Sequence, residues 1–172
     1  YSAKNPKASA VLSLFYPKNG LAHLLLIVRS SYPGVHSSQI AFPGGKKELE
    51  DLDLQETALR EANEEVGISP TEIEIVKQWS DLYIPPSNFM VSAFMGISQQ
   101  TQNFVLQPDE VSGIIELPVT DLLNDSLVQN VRMNTSYGSD ISVPAFVIND
   151  HIVWGATAMI LSEIKETFRA VF

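Results

Sequence analysis

Apolar residues in this chain fall into short runs that turn-forming residues separate. The run Leu24–Val28 is typical, and it is far shorter than the roughly 20 residues that cross a bilayer. Runs of this length rich in Val, Ile, Leu and Phe indicate strands, and Pro17–Gly20 supplies a turn between two of them. We therefore predict a hairpin of strands over 9–16 and 21–29, and no segment that spans a membrane.

Two later segments have helical rather than strand character. Residues 54–66 contain no Pro or Gly, their apolar residues recur at three- and four-residue spacing, and Gly67 stands at the C-cap position. Residues 156–171 are the second predicted helix, and 121–123 a short helical turn. A break is predicted at Pro43–Gly45. The strands predicted after it are 73–84, 90–97, 111–117, 128–133, 141–148 and 152–154.

Charge is concentrated in one part of the sequence. The chain carries 20 acidic and 11 basic residues, a net charge of −9, and residues 48–65 hold eight of the acids and one base. That segment accounts for −7 and the remaining chain for −2. The low basic content argues against a nucleic acid polymer as partner, because its phosphates are neutralised by Lys and Arg. The absence of cysteine excludes disulfides and permits a reducing compartment, so a cytoplasmic location is expected.

The first predicted helix has three carboxylates on one face. Glu61, Glu64 and Glu65 fall within an arc of roughly 100° at 3.6 residues per turn, where like charges repel. Hard oxygen ligands without a neighbouring His or Cys suit Mg²⁺ or Mn²⁺, and such ions would bind a polyanion. Hydrolysis of a phosphoanhydride is therefore the expected reaction. The competing interpretation is a solvated acidic helix face, but the flanking Gly44–Gly45 and Gly67 favour the ligand site.

The second half of the Nudix signature is matched by the stretch that begins at Arg60. The signature reads G-x5-E-x7-R-E-U-x-E-E-x-G-U, with U a bulky apolar residue, and this chain reads R-E-A-N-E-E-V-G-I, with Ala62 at the first U. The chain therefore resembles the Nudix hydrolases. Its box is one residue longer, so that the regular position of the first Glu, counted back from the Arg, holds Leu52. Asp51 or Asp53 is expected to take that role.

A similarly lengthened box occurs in the coenzyme A and acyl-CoA pyrophosphatase branch of the Nudix proteins, which this chain resembles over most of its length. That branch carries an upstream motif, L-L-T-x-R-[SA]-x3-R-x3-G-x3-F-P-G-G, and residues 25–30 and 42–45 match it in register. Segments 84–89 and 152–158 are similar to two further elements of the branch, T-P-S-G-F and I-W-G-x-T-A.

Three positions depart from the upstream motif, namely Ile27, Gly34 and Ser38. Gly34 matters most, because the Arg of the motif would clamp a phosphate with its guanidinium. Other substrates therefore stay open: ADP-ribose, a dinucleotide or an oxidised nucleotide. A non-catalytic nucleotide-binding Nudix domain is a further alternative, against which the intact glutamates of the box argue.

The resemblance implies a role for each matching position. Arg60 is expected to orient the glutamates. Glu110, which precedes a predicted strand, is favoured as the general base, and Glu61 is its rival. The groups expected to bind divalent ions are Glu61, Glu64, Glu65 and the carbonyl of Gly45. The residues expected to contact substrate are Arg29, His36, Phe42 and Gly44.

We thus expect one α/β domain over residues 1–172, a Nudix α/β/α sandwich with a mixed β-sheet. It would use Mg²⁺ or Mn²⁺ to hydrolyse coenzyme A or acyl-CoA without a covalent enzyme intermediate. Its partner would be a CoA-like nucleoside diphosphate derivative rather than a nucleic acid or a membrane, and its oligomeric state is left open. His23 and His151 are interpreted as structural. Trp154 and Phe168 are expected to pack the last helix on the sheet.

Overall fold

The structure is a computed structural model that describes residues 5–31 and 39–172. Spatial contacts group the chain into two compact units, Tyr1–Val119 and Thr120–Phe172. The single domain expected over 1–172 stays a prediction. Within the described ranges, every helix is too short or too polar to cross a bilayer.

Eight strands in the described part of the first unit form one mixed sheet. Their bounds are β1 Lys7–Lys18, β2 Leu21–Arg29, β3 Ile40–Ala41, β4 Gly44–Lys46, β5 Glu74–Gln78, β6 Leu82–Ile84, β7 Phe89–Ile97 and β8 Val111–Pro118. β1 pairs in parallel with β7 and antiparallel with β2 and β4. β3 and β8 pair with β2, whereas β5 and β6 pair with β7. The predicted mixed sheet is confirmed.

Helix α1, Leu54–Val66, has the predicted bounds and packs on this sheet. Asp53 caps its N-terminus by accepting a hydrogen bond of 2.8 Å from the N–H of Glu56, and Gly67 ends it at a φ of 73°. The apolar face of α1 shares a core with β1, formed in part by Ala58, Ala62, Val66, Ala10, Leu12 and Leu14. This packing fixes the rotation of α1 and turns its acidic face toward β4.

The break predicted at Pro43–Gly45 is wrong for the two glycines. Gly44 and Gly45 begin β4 and pair with Val11 and Ala10 of β1. Glycine is required for this approach, because a Cβ on Gly44 would lie 2.4 Å from the carbonyl oxygen of Ala10. The two glycines, which predict a loop in the sequence, instead allow β4 to approach β1 closely.

The long strand predicted over 73–84 is two strands, β5 and β6, with Trp79 between them. The Trp79 side chain is buried and its Nε1 donates to Oγ of Ser13 at 2.9 Å, while its backbone N–H donates to the carbonyl of Ala93 at 2.8 Å. The backbone bond keeps Trp79 on β7, but residues 79–81 lie opposite only two residues of β7, so the register shifts at this point. No local pattern predicts this shift.

The second unit contains a three-stranded antiparallel sheet and a long helix. Its elements are β9 Val128–Thr135, β10 Gly138–Ile148, β11 His151–Val153 and α3 Gly155–Val171, and the short helix α2, Val119–Leu122, leads into it. Ala158 and Leu161 of α3 are buried. Trp154 lines an apolar cavity of about 280 Å³ together with residues of β10 and α3. The packing of α3 on the sheet by Trp154 and Phe168 stays a prediction.

Candidate active site

Two glycines of β4 lie directly against two glutamates of α1. The backbone N–H of Gly44 donates to Oε2 of Glu65 at 3.0 Å. A Cβ on Gly45 would lie 2.5 Å from the carboxyl carbon of Glu61, so only glycine leaves room for that carboxylate. The pairing of β4 with β1 and the packing of α1 on β1 thus place Glu61 and Glu65 beside the same strand.

A loop before β8 brings a third carboxylate to this position. The N–H groups of Val105 and Gln107 donate to the carbonyls of Val66 and Glu65, at 3.0 and 2.9 Å, and tie the loop to the end of α1. Glu110 follows in this loop, and one oxygen from each of Glu61, Glu65 and Glu110 lies within 4.8 Å of the other two. We define these three residues as the carboxylate cluster.

Burial makes the carboxylate cluster electrostatically costly. Glu65 is 2% exposed, and burial raises its pKa to about 8. The hydrogen bond from Gly44 and the positive charge of Arg29 lower this pKa, whereas the charges of Glu61 and Glu110 raise it. A buried, like-charged group of this kind is stabilised by a cation.

Arg60 lies at the edge of the cluster. Its Nη1 donates to Oε1 of Glu61 at 3.1 Å and to Oε1 of Glu64 at 3.2 Å. Burial raises the pKa of Glu61, and Arg60 opposes this rise. The predicted role of Arg60 in orienting the glutamates is consistent with these contacts.

Glu64 occupies a different position from the other two glutamates of the helix. Its side chain is 50% exposed and both of its oxygens accept hydrogen bonds from Arg60. The cluster found among the described residues therefore includes Glu110 where the sequence leads one to expect Glu64. Glu64 stays a predicted ligand on the rim of the cluster.

The predicted substrate-binding residues have different environments. Arg29 ends β2, and its charge acts on Glu65. The Gly44 N–H is taken by Glu65. Phe42 is 2% exposed, so its side chain belongs to the core in this structure. His36 lies outside the described residues. The substrate roles of these four residues remain predictions.

One residue with a clear structural role was left undecided by the sequence. Asp51 is 5% exposed and accepts hydrogen bonds from Arg60, Thr57 and the backbone of Glu48. Asp53, the other candidate, is the helix cap. Both acids precede Thr57 and Arg60 in the sequence, so their position does not distinguish them; only the fold shows that the side chain of Asp51 meets those of Thr57 and Arg60.

The donor set fits a hard divalent cation. Carboxylate oxygens and a backbone carbonyl are the ligands that Mg²⁺ and Mn²⁺ prefer, and the like-charged, partly buried cluster needs positive charge. Glu61, Glu65 and Glu110 would hold such an ion, with Glu64 and the Gly45 carbonyl as further candidates. When bound, the metal would supply charge neutralisation for phosphate oxygens.

The mixed sheet and the glutamates of α1 beside β4 are the features expected of a Nudix protein, and comparison with known families gives the same class. The NUDIX domain family matches residues 4–134 of this chain. The chain therefore belongs to the Nudix family and is a Nudix hydrolase. Nudix enzymes generally use divalent metal ions and act on nucleoside diphosphate derivatives.

Curated relatives carry the same family name. Uncharacterized Nudix hydrolase NudL of Yersinia enterocolitica is 33% identical over 143 residues, which cover 83% of this chain and 72% of the relative. NudL of Klebsiella pneumoniae is 33% identical over 168 residues, covering 94% of this chain and 83% of the relative.

Solved Nudix structures share the fold at low sequence identity. The NUDIX domain of Shewanella oneidensis NrtR, complexed with ADP ribose, has a TM-score of 0.61 at 17% identity and covers 96% of this chain and 90% of its own. The Nudix hydrolase RenU of M. smegmatis has a TM-score of 0.67 at 13% identity and covers 97% and 88%. The expected Nudix fold is thereby confirmed.

Proposed function

We propose that this chain hydrolyses the diphosphate bond of coenzyme A or acyl-CoA with Mg²⁺ or Mn²⁺. The products would be 4′-phosphopantetheine, or its acylated form, and adenosine 3′,5′-bisphosphate. One bond forms between the oxygen of water and a phosphorus atom, and the bond from that phosphorus to the bridging oxygen breaks. The proton that water loses goes to a carboxylate, for which Glu110 and Glu61 are the candidates.

The observation that carries the proposal is the convergence of the branch motif with the carboxylate cluster. The first part of the motif lies on β2 and ends near Arg29, whose charge acts on Glu65. Its last part includes Gly44 and Gly45 of β4, which contact Glu65 and Glu61. Motif positions that are far apart in sequence thus surround the same carboxylates, which supports a shared role in binding one diphosphate substrate.

Gly34 supports a second candidate substrate class. It stands where the branch motif has Arg, and an Arg there would hold a phosphate of CoA through two parallel hydrogen bonds. Without that Arg, CoA loses one phosphate contact. The advantage of CoA over another nucleoside diphosphate derivative, such as ADP-ribose or a dinucleotide, would therefore be smaller.

A product-resolved hydrolysis panel tests the proposal. CoA, acyl-CoA, ADP-ribose, dinucleotides and nucleoside triphosphates would be compared at equal concentration with Mg²⁺ and with Mn²⁺. We expect the highest kcat/KM for CoA or acyl-CoA, with cleavage at the diphosphate. A nucleotide hydrolysed well above CoA would reject this assignment and favour the second candidate.

Glu64→Gln is the matched site variant for this panel. Glu64 is half exposed, so the variant is expected to fold, and it should lose most turnover because a predicted metal-binding charge is gone. Turnover equal to that of the wild type at saturating metal would reject Glu64 as a metal ligand.

A further inference from the structure

The apolar cavity of about 280 Å³ is formed within the second unit. Residues of β10 and α3 make up most of its lining, and none of the residues assigned to the metal site is among them. Protein interiors are packed so closely that voids much larger than a water molecule are few. A space of this volume is therefore more than an ordinary packing gap.

Small side chains on α3 leave this space open. Gly155, Ala158 and Ser162 line the cavity at spacings of three and four residues, which places them on one side of the helix. Leu161 and Ile164 of the same helix are fully buried and are not part of the lining. The cavity thus follows from residue size at a few positions of α3, and a larger side chain at Ala158 would fill part of it.

The lining is uncharged and is open to solvent at one side. Phe146 and Ala145 are buried, whereas Val128, Tyr137 and Met159 line the same cavity and are exposed, so they form its rim. Apolar walls of this kind do not hold water well, and an apolar group that enters such a cavity is bound favourably. The part of a ligand that enters must therefore be apolar and uncharged, because a buried charge would lack a partner.

The length of the lining indicates the shape of the ligand. It extends from Gly155 to Ser162 on α3, about 10 Å along the helix axis, and from Ile141 to Ala145 on β10, about 13 Å along the strand. A flexible chain can follow a lining of this length, whereas one aromatic ring would fill only a part of it.

One sequence element without a role in the metal site lines the same cavity. Segment 152–158 is similar to the branch element I-W-G-x-T-A, and Trp154, Gly155 and Ala158 stand at its Trp, Gly and Ala positions. All three residues line the cavity. The element therefore contributes to forming this space.

We propose that the cavity binds the hydrocarbon chain of a fatty acyl group, with the polar head of the ligand outside in solvent. Two kinds of ligand carry such a chain, a free fatty acid and an acyl-CoA. The inference goes beyond the proposed function, because binding of the chain requires neither metal nor hydrolysis.

Titration calorimetry with straight-chain carboxylates from butanoate to dodecanoate, in the presence of a chelator, tests the proposal. The dissociation constant should fall roughly fourfold for each added methylene and level off once the cavity is full. Lack of binding at every length would overturn the proposal. So would an affinity that rises along the whole series without levelling off, which is the behaviour of an open apolar surface.

Ala158→Leu should weaken octanoate binding by roughly 15- to 60-fold, because the added carbons occupy the space of two or three methylenes. Ala170→Leu is the matched control: it makes the same change on the same helix, at an exposed position outside the lining, and should bind octanoate as the wild type does. Equal affinities in the two variants would contradict a site at the cavity.

Val143→Ala decides the matter if Ala158→Leu does not fold. Val143 lines the cavity from β10, so its truncation enlarges the space and should move the point of levelling off to a longer chain. An unchanged point of levelling off would overturn the proposal. A chain that binds no octanoate but forms a dimer in solution, which Ala158→Leu dissociates, would overturn it in favour of a second copy as the occupant.

CoA and octanoyl-CoA, titrated with the chelator present, distinguish the two sources of the chain. Tighter binding of octanoyl-CoA than of CoA, with the difference lost in Ala158→Leu, would identify acyl-CoA. Octanoate binding without such a difference would identify a free fatty acid. A failure of the proposed CoA hydrolysis would leave these affinities unchanged, and a failure to bind the chain would leave hydrolysis of CoA itself unaffected.

Discussion

Gly45 of β4 lies against the carboxylate of Glu61 so closely that a Cβ at this position would be 2.5 Å from both its carboxyl carbon and Oε1. Real Cβ atoms do not approach other heavy atoms this closely, so any side chain at Gly45 must displace the glutamate or β4 itself. The close approach of β4 to α1 at this point therefore depends on the absence of a Cβ at Gly45.

Gly45→Ala should reduce kcat strongly while the protein remains folded. Displacement of a reacting or metal-binding group by about 1 Å can cost roughly 100-fold in rate. The measurement is kcat at saturating metal, together with a thermal melt. Gly113→Ala is the control, because its nearest neighbour would be Cγ2 of Val28 at 3.8 Å, an ordinary contact. Equal kcat in both variants would contradict the fitted arrangement of Gly45 and Glu61.

Glu110→Gln should lower kcat by roughly 10²- to 10⁴-fold if Glu110 accepts the proton from water. Glutamine keeps the size of the side chain but cannot take up a proton or bind a metal through a negative charge. Asp109→Asn removes the neighbouring exposed acid and should leave kcat unchanged. A nearly wild-type rate for Glu110→Gln would assign the base to Glu61.

Glu65→Gln should stabilise the metal-free protein as the pH rises. The pKa of Glu65 is about 8 in the folded state, against about 4.3 for an unperturbed Glu. Between these values the folded state holds a proton that the unfolded state has lost, so the wild type loses stability as pH increases. Gln cannot ionise, yet its side-chain oxygen can still accept from Gly44.

Denaturant unfolding with a chelator present, at about pH 5 and about pH 8, checks this prediction. The difference in unfolding free energy between Glu65→Gln and the wild type should grow toward the higher pH. A difference that is independent of pH would contradict the raised pKa. The same variant should lose hydrolytic activity, since the charge that costs stability is the one proposed to hold metal.

Tyr16→Phe should lower stability without changing hydrolysis. Tyr16 is 2% exposed and its hydroxyl donates to Oε2 of Glu116 at 2.8 Å, a bond to a charged acceptor worth about 1.5–3 kcal/mol. Burial, together with Glu116, raises the pKa of Tyr16 and keeps it a donor. Glu116 lies near the end of β8, whereas Glu110 precedes its start.

Tyr83→Phe is the comparison for this variant. Its hydroxyl donates to the neutral Oδ1 of Asn88 at 2.9 Å, a bond expected to contribute about 0.5–1.5 kcal/mol. Chemical denaturation should therefore show the larger loss for Tyr16→Phe, with kcat and KM equal to those of the wild type. A reversed order would mean that Glu116 does not act as a charged acceptor.

The local elements of the fold were predictable where the signals are local. Helix α1 begins and ends as expected because Asp53 can cap it, Gly67 can end it in the left-handed region, and no Pro or Gly interrupts it. The predicted strand over 73–84 was wrong because the three residues 79–81 lie opposite only two residues of β7, so the register shifts there, and the indole of Trp79 bonds to Ser13 of β1. Such partners lie far away in sequence and leave no periodic trace.

The sequence by itself indicated the family, because residues 60–68 match the Nudix signature, and it placed Glu61, Glu64 and Glu65 on one face of α1, because their spacing follows from helical geometry. Only the tertiary structure decided which carboxylates meet. Hydrogen bonds from the loop to the end of α1 bring Glu110 to Glu61 and Glu65, and leave Glu64 on the rim with Arg60. The same holds for Asp51. It is buried and paired with Arg60 because the loop before α1 folds back over the helix, and the local sequence does not predict this loop conformation.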